Sequence, residues 1–415
     1  MKPLKSFFPV LIIFFLFACK SEKKTKPEAI KAPDFTTFQN DADLLKKRTD
    51  VVILQEPSGK GMVAVSGALQ GRVMTSTSNG LEGRSYGWIN KALFESGDTL
   101  DHINPFGGEE RFWLGPEGGQ YSIFFEKGAQ FNLDKWQTPR LIDLDVFNLA
   151  EQTPQKAVYR KSATLTNYSG FTFELDIERA IEVMSAAEVF QSLELAENTT
   201  VNVVGYKTTN TLTNRSDTDW KKETGLLSIW LLGMFNHSDA TTVVVPFIEG
   251  DEAKLGAIVN DTYFGKVPAE RLKVGKGVMY FSGDGKYRSK IGLSPARAKD
   301  VLGSYDAESQ TLTIVKYSKP EGVSDYVNSL WEMQEEPYKG DVVNSYNDGP
   351  PEPGKKPLGP FYELETSSPA LALKAGESGT HIQQTYHFEG DEVALDGIAR
   401  QLLGVSLEEI KGAFH

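Results

Sequence analysis

Hydrophobic and polar positions alternate along most of the chain beyond residue 48. The clearest case is FTFELDIERAIEVM, residues 171–184, where a period of two places one set of hydrophobic side chains on one face: Phe171, Phe173, Leu175 and Ile177. TVVVPFI (242–248), VMYFS (278–282) and TLTIVKYS (311–318) predict further strands. Turn clusters rich in glycine, proline, serine and aspartate separate these runs. The pattern favours an all-β fold, a large antiparallel sandwich.

A helical pattern is confined to the last two dozen residues. There, VALDGIARQLLGVSLEEIKGAF predicts two short helices interrupted at Gly404. Ser406 and Glu409 have the spacing of a capping box for the second helix. We find no sustained helical amphipathy before this segment. A loop with five prolines, residues 348–360, predicts a rigid surface segment, because proline fixes φ and removes a backbone donor.

The N-terminus has the features of an export signal. Two lysines precede an apolar run that is too short to span a bilayer comfortably, and the run ends in LFAC. This resembles a bacterial lipobox, which predicts a signal peptide over residues 1–18 and a lipid on Cys19. The alternative is an ordinary secretory signal followed by an incidental cysteine. We therefore expect a tether over residues 19–48, the sandwich over 49–390 and a helical segment over 391–415.

The composition indicates which kinds of partner and cofactor this protein can be expected to bind. The single cysteine is Cys19, so no disulfide is expected in the body of the protein, and a large core must stabilise it. The formal charge is −12 over the full sequence, which argues against nucleic acid and against a polybasic membrane patch. We expect an exported monomer, lipid-anchored to the bacterial cell envelope at the outer membrane or the periplasmic face. No metal site or cofactor is expected, since no His-x-x-x-His pair occurs.

One stretch concentrates residues that could recognise a ligand: NPFGGEERFWLGPEGGQ, residues 104–120. It is not a phosphate loop, because no helix can begin after its glycines and its carboxylates would repel phosphate. Sugars instead need hydrogen-bonding side chains and an aromatic ring on which to stack. The candidates for one wall of a sugar site are His102, Asn104, Glu109, Arg111, Trp113 and Glu117.

A second stretch, residues 359–390, follows the proline loop. It predicts a strand that carries Glu363 and Glu365, a KAGES turn and a long strand. Two acidic residues on a strand are most simply a solvated face. On the long strand, one face carries His381, Gln383, Thr385 and His387.

Together, LET at 364–366, ALALKAGES at 370–378 and the GGEERFWLGPE segment resemble the galactose mutarotase-like (aldose 1-epimerase) superfamily. The closest resemblance is to uncharacterised bacterial lipoproteins of that fold. It implies a large two-sheet β-supersandwich and a carbohydrate ligand. It also implies that Glu365, which matches the glutamate of the superfamily motif, is the general base.

The superfamily's acid is a histidine in a threonine-asparagine-histidine segment. Here TLTNRSD places Arg215 at that position, where the arginine could only bind substrate, because it does not lose its proton near neutral pH. His102, His237 or a carboxylic acid such as Glu110 would then supply the proton. Two functions remain open: an enzyme at the anomeric centre of a sugar, either an aldose 1-epimerase-like isomerase or a glycoside hydrolase, and a non-catalytic glycan-binding lipoprotein.

Overall fold

Antiparallel strands make up most of the molecule, as the period-two pattern predicts. The computed structural model describes residues 35–352 and 354–414. The strands are β1 Val52–Gln55, β2 Met62–Ser66, β3 Arg72–Thr77, β4 Arg111–Gly115, β5 Asn148–Gln152, β6 Lys156–Thr166, β7 Thr172–Met184, β8 Val201–Asn214, β9 Ser228–Phe235, β10 Thr241–Pro246, β11 Leu272–Val274, β12 Val278–Ser282, β13 Ser289–Leu293, β14 Val301–Asp306, β15 Thr311–Tyr317, β16 Val343–Asn347, β17 Tyr362–Ser367 and β18 Ser378–Gly390. The helices are α1 Phe38–Arg48, α2 Lys91–Ser96, α3 Arg140–Asp143, α4 Ala186–Ser192, α5 Glu252–Leu255, α6 Glu392–Leu402 and α7 Leu407–Lys411.

The largest sheet has ten strands in the order β11-β12-β10-β14-β15-β18-β8-β7-β6-β5. Its alternating burial follows the sequence pattern. In β7, Phe173, Leu175 and Ile177 are buried, whereas the side chains between them are exposed or half-buried. In β18, the face predicted to carry His381 and His387 is buried throughout.

A second sheet has five strands in the order β13-β16-β17-β9-β4 and packs on the ten-stranded sheet. Hydrogen bonds mark the contact between them: Thr366 Oγ1 in β17 donates to Gln383 Oε1 in β18 at 2.6 Å, and the Tyr362 and Ser304 hydroxyls lie 2.8 Å apart. Because side chains alternate along a strand, Glu363 and Glu365 must lie on the other face of β17, away from the ten-stranded sheet. The predicted all-β sandwich is confirmed.

The C-terminal helices belong to the sandwich. Leu395 and Ile398 of α6 and Leu407 of α7 join a hydrophobic cluster with Phe388, whose side chain lies on the outer face of the ten-stranded sheet. The break at Gly404 and the capping box of Ser406 and Glu409 are as predicted. Residues 391–414 therefore cover the sheet instead of forming a separate unit.

Helices also occur where the sequence pattern predicts none. Helix α1 occupies residues 38–48, within the predicted tether, and α4 begins at its own capping box of Ser185 and Glu188. Phe38 and Leu45 of α1 are fully buried against the three-stranded sheet β1-β2-β3. The tether prediction is therefore wrong for residues 38–48, because a short apolar stripe of this helix completes the core.

The predicted lipidation site, Cys19, lies outside the described residues. Within residues 35–352 and 354–414, no helix is long and apolar enough to cross a membrane. The proline loop lies at the surface, as expected. Asp348 anchors its start, since its carboxylate accepts hydrogen bonds from the Tyr346 hydroxyl at 2.9 Å and the Gly359 amide at 2.8 Å.

Candidate functional site

The outward face of the five-stranded sheet carries a cluster of charged side chains. Register places Asn344 of β16 opposite Glu365, and Tyr346 opposite Glu363. Lys290 of the edge strand β13 pairs with Tyr346, so its side chain lies on the same face. Three neighbouring strands thus bring two carboxylates and an ammonium together. We call this group of side chains, with the loops that border it, the glutamate cleft, although Glu363, Glu365, Lys290 and Arg111 are each at most 9% exposed.

Glu365 lies at the floor of the glutamate cleft and is fully buried. Its Oε2 accepts hydrogen bonds from Lys290 Nζ and Trp230 Nε1, both at 2.9 Å. Among the described residues, no amide, hydroxyl, indole or cationic side chain donates to the buried Oε1. The neighbouring Glu363 carboxyl can share a proton with Glu365 when it is protonated. A buried carboxylate oxygen normally has a partner, so this atom is where a ligand hydroxyl would donate most favourably.

Glu363, two residues earlier on the strand, is held differently. Its carboxyl accepts a buried hydrogen bond from the guanidinium of Arg111 in β4. Burial raises the pKa of Glu363 to about 8; Arg111 opposes the rise, and the neighbouring Glu365 adds to it. Near neutral pH the Glu363 carboxyl is therefore mostly protonated.

Aromatic side chains form one wall of the glutamate cleft. Trp113 and Trp230 meet edge to face with their ring centroids 5.5 Å apart, and the Arg111 guanidinium lies 5.0 Å from the Trp113 ring. Lys290 Nζ lies 4.8 Å from the Trp230 ring and 5.5 Å from the Tyr263 ring. The charges therefore lie against flat apolar surfaces, which exclude water and strengthen their interactions.

Glu117 completes the cluster from the loop that follows β4. Its amide donates to Ser329 Oγ at 3.2 Å, which fixes the loop against the segment that carries Trp331. Burial raises the pKa of the half-buried Glu117 carboxyl to about 7; Lys290 opposes the rise and Glu365 reinforces it. Near neutral pH this carboxyl is thus about evenly divided between acid and base forms.

A protein-family model matches nearly all of the residues that the structure describes. Residues 36–414 match the model of a family of unknown function (DUF6786). The chain belongs to this family. No curated protein matches the sequence.

Among solved structures, the chain resembles a galactose mutarotase-like protein from Lactobacillus casei, with a TM-score of 0.47 and 11% identity over 82% of this chain and 99% of that one. It also resembles a galactose mutarotase related enzyme from Lactobacillus acidophilus, with a TM-score of 0.44 and 10% identity, again over 82% and 99% of the two chains. The first of these proteins is described as galactose mutarotase-like and the second as galactose mutarotase related.

Of the side chains that the sequence predicts for a sugar site, Glu365, Arg111, Trp113 and Glu117 meet in the glutamate cleft. The stretch that contains Arg111 does form one wall, because β4 lies next to β9, which pairs with β17. The expectation of a solvated acidic face on β17 is wrong, since Glu363 and Glu365 are both buried.

Glu109 and Glu110 do not reach the glutamate cleft. Glu109 Oε1 lies 2.7 Å from His387 Nε2, and Glu110 Oε1 accepts from Arg179 Nη2 at 2.8 Å. These partners belong to the inner face of the ten-stranded sheet, so both glutamates lie between the sheets. The pKa of Glu110 is raised by burial, against the opposing effect of Arg179, but the carboxyl has no access to a ligand in the cleft.

The histidines and Asn104 also lie elsewhere. His102 Nδ1 lies 2.7 Å from the Trp136 carbonyl oxygen, and Asn104 Nδ2 donates to Asp143 Oδ2 at 2.7 Å. His237 lines a separate cavity of about 60 Å³ beside Tyr86 and His387. None of the three has a hydrogen bond or ion pair with Glu365 among the described residues, and their predicted roles gain no support from their placement.

Arg215 lies on the far side of the molecule. Its guanidinium pairs with Asp176 at 3.2 Å on the outer face of the ten-stranded sheet, about half exposed. Both sheets separate it from Glu365. Arg215 therefore does not reach the glutamate cleft, and its placement gives no support to a role in substrate binding there or in the place of a catalytic histidine.

Sequence reasoning missed Lys290 as a site residue. The segment GKYRSKIGLSP suggests a solvated basic turn, yet Lys290 lies within β13 and is only 9% exposed. A signal was present: Ile291 and Leu293 alternate with Lys290, which predicts a strand with the lysine on the opposite face. Trp230 was also missed, because β9 is apolar throughout and shows no preferred face.

Within residues 35–352 and 354–414, no three histidines, aspartates or glutamates are placed to bind one ion. The cationic groups of the glutamate cleft are Lys290 and Arg111, each in contact with a glutamate. These side chains can transfer protons and form hydrogen bonds.

Proposed function

We propose that the protein binds a sugar in the glutamate cleft and acts at its anomeric centre by acid–base chemistry. The observation that carries the proposal is the buried Glu365 carboxyl, whose Oε1 has no donor among the described residues other than the Glu363 carboxyl, together with a second carboxyl, Glu117, with a pKa of about 7. The exchange of anomers requires one group that accepts a proton and one that donates a proton, and the two carboxyls can fill these roles.

The surroundings suit a pyranose. Trp113 and Trp230 offer aromatic surface for the C–H face of a sugar ring. Lys290 and Arg111 can donate hydrogen bonds to ring hydroxyls, while the glutamates can accept them. This mixture of aromatic and hydrogen-bonding groups is typical of small-molecule sites that must fix an orientation.

The proposed reaction uses Glu365 as base and Glu117 as acid. Glu365 removes the proton of the anomeric hydroxyl while Glu117 delivers its proton to the ring oxygen, and the bond between C1 and the ring oxygen breaks. The open-chain aldehyde rotates about the bond between C1 and C2. The reverse transfers close the ring on the other face and return both carboxyls to their starting states.

One observation favours a second function, the binding of a glycan without catalysis. Lys290 Nζ lies 2.9 Å from Glu365 Oε2, so one oxygen of the proposed base already holds an ammonium. Catalysis would require the bound sugar to move the Lys290 ammonium away from Glu365 and toward one of the sugar oxygens. For binding alone, the ion pair already presents a fixed acceptor and a fixed donor.

The experiment that separates these functions follows anomer exchange by NMR and binding by calorimetry. Glucose and galactose serve as probes, with wild type, Glu365→Gln and the exposed control Glu332→Gln. Catalysis requires that wild type and the control speed the exchange and that Glu365→Gln does not. Binding without faster exchange in wild type supports the second function. If neither sugar binds and neither is anomerised, both functions fail.

We also propose that the protein is exported and anchored through a lipid on Cys19 to the bacterial cell envelope. The support is the sequence alone: a short apolar run that ends in LFAC. Labelling with a fatty-acid analogue in a bacterial host tests this. Label should appear in wild type and be lost in Cys19→Ala, and an unlabelled wild-type protein would contradict the proposal.

A further inference from the structure

A second depression lies beside the glutamate cleft. It is an open groove of about 620 Å³, bordered by α3 and by the loop that contains Phe124 and Phe125. This volume falls within the range of pockets that hold small organic ligands, roughly 300–1,000 Å³. We call it the α3 groove.

The α3 groove and the glutamate cleft share an aromatic wall. Phe124 lines the groove and stacks on Trp136, with ring centroids 6.0 Å apart. Trp136 in turn stacks on Trp331 at 5.9 Å, and both indoles lie beside Glu117. Only this stack of aromatic rings therefore separates a ligand in the glutamate cleft from the groove.

The groove contains a buried carboxylate that is not in a direct ion pair among the described residues. Asp143 of α3 is 3% exposed and accepts hydrogen bonds from Asn104, through its amide at 3.2 Å and Nδ2 at 2.7 Å. The buried Arg72 guanidinium lies close enough for the Asp143 charge to oppose the fall of the Arg72 pKa, but it forms no hydrogen bond with Asp143. Each Asp143 oxygen therefore keeps an acceptor site, and a buried acceptor with unused capacity is costly. Ligand hydroxyls that donate to it would relieve that cost.

The remaining lining combines apolar and polar groups. Ile123, Phe124 and Phe125 supply buried apolar surface, while Gln137 and Lys135 are exposed at the rim. An apolar floor with a hydroxyl acceptor and amide and ammonium donors matches the two kinds of surface that a sugar ring presents. A purely apolar ligand would leave Asp143 unsatisfied.

We propose that the α3 groove binds a second sugar unit, so that the ligand of this protein is an oligosaccharide that spans the groove and the glutamate cleft. This rests on the proposed function, because the first unit occupies the glutamate cleft. Asp143 accepts hydrogen bonds from hydroxyls of the second unit, and Asn104 holds the carboxylate in place.

The test compares monosaccharides with disaccharides by calorimetry. Glucose and galactose are measured against maltose, cellobiose and lactose. In wild type, at least one disaccharide should bind about tenfold or more tightly than either monosaccharide, the equivalent of ~1.4 kcal/mol. Ala129→Trp, which fills the groove from its half-buried rim, should remove this advantage and leave monosaccharide affinity unchanged.

Two further variants sharpen the comparison. Leu133→Trp places the same indole outside the groove lining and should keep the advantage of the disaccharide. Asp143→Asn keeps the shape of the side chain but removes its charge, so it should weaken only disaccharide binding. Thermal unfolding of this variant shows whether it still folds. If it does not fold, the Ala129→Trp result alone tests the groove proposal.

The outcomes distinguish the two proposals. If monosaccharides bind and no disaccharide binds more tightly, or if Ala129→Trp leaves the advantage intact, the groove proposal is overturned and the glutamate cleft stands. If Ala129→Trp weakens disaccharide binding but Glu365→Gln alters neither sugar class, the groove still binds sugar, but the proposed cleft function falls and with it the ligand that spans both sites. If no sugar binds, both fall.

Discussion

Lys290 Nζ lies 2.9 Å from Glu365 Oε2 at the floor of the glutamate cleft, in an ion pair that is almost completely buried. Because both charges have left water, the loss of one partner leaves the other uncompensated in a poorly solvated site. Lys290→Met should therefore lower the free energy of unfolding by about 3–5 kcal/mol in urea titrations.

Lys286 provides the matched control for that measurement. It lies only a few residues before Lys290 and pairs with Asp239, but both of these side chains are more than half exposed. Lys286→Met should change the free energy of unfolding by less than about 1 kcal/mol. Equal effects of the two substitutions would mean that Lys290 is solvated in solution.

The comparison of these two lysines also shows what sequence can predict. Both belong to one basic segment, and nothing local to the chain pairs Lys290 with a glutamate 75 positions later. That pairing depends on β16, which lies between β13 and β17 in the sheet. The period-two pattern predicts strands and faces, but it carries no information on which strands become neighbours.

The same limit explains the residues of the site that were and were not foreseen. Arg111 and Trp113 could be predicted because one short stretch concentrates suitable side chains, and Glu365 because it matches a superfamily motif. Arg215 was assigned to the site on a short motif match alone. The alternation along β7 places Asp176, the ion-pair partner of Arg215, on the outer face of the sheet. Motif matches of three or four residues need support from the strand pattern around them.

Stability should depend on pH through Glu363. Its pKa is raised from 4.5 to about 8 in the folded protein, so between these values the folded state binds a proton that the unfolded state has released. The free energy of unfolding should therefore fall as the pH rises through this window. Urea unfolding at several pH values between 5 and 8, in wild type and in Glu363→Gln, measures the effect.

Only the difference between the two proteins is diagnostic, since other buried carboxyls titrate as well. Burial also raises the pKa values of Asp341 and Asp348. In Glu363→Gln the amide cannot titrate, so stability should fall less steeply with pH than in wild type. Parallel curves would show that Glu363 does not hold a proton near neutral pH.

Glu117 should limit the rate of anomer exchange if the protein is an enzyme. An acid must be protonated to deliver its proton, so the rate should fall as the pH rises above about 7. Glu117→Gln should lower the rate by about 10²–10⁴-fold, as general acids typically contribute, and should leave sugar affinity largely unchanged. NMR exchange rates against pH test this, with the exposed Glu332→Gln as control. A variant that kept the wild-type rate would remove Glu117 from the mechanism.

Arg215 should be dispensable. Its ion pair with Asp176 is about half exposed on the far sheet, so Arg215→Ala should cost less than about 1 kcal/mol of stability and leave sugar binding unchanged. Arg111→Ala removes a buried guanidinium from the glutamate cleft and should weaken sugar binding. Calorimetry on both variants shows which arginine contacts the sugar. Weaker sugar binding in Arg215→Ala would place the ligand outside the glutamate cleft.

Helix α1 should contribute to the stability of the fold although it lies where the sequence suggests a tether. Leu45 is fully buried with Phe38 and with Met74 of β3, so Leu45→Ala opens a cavity in a packed cluster. The free energy of unfolding should fall by about 2–5 kcal/mol. Lys46→Ala, on the exposed side of the same helix, should change it by no more than about 0.5 kcal/mol. If the two variants unfold at the same urea concentration as wild type, α1 does not pack on the core in solution, and the ordered part of the chain begins after residue 48.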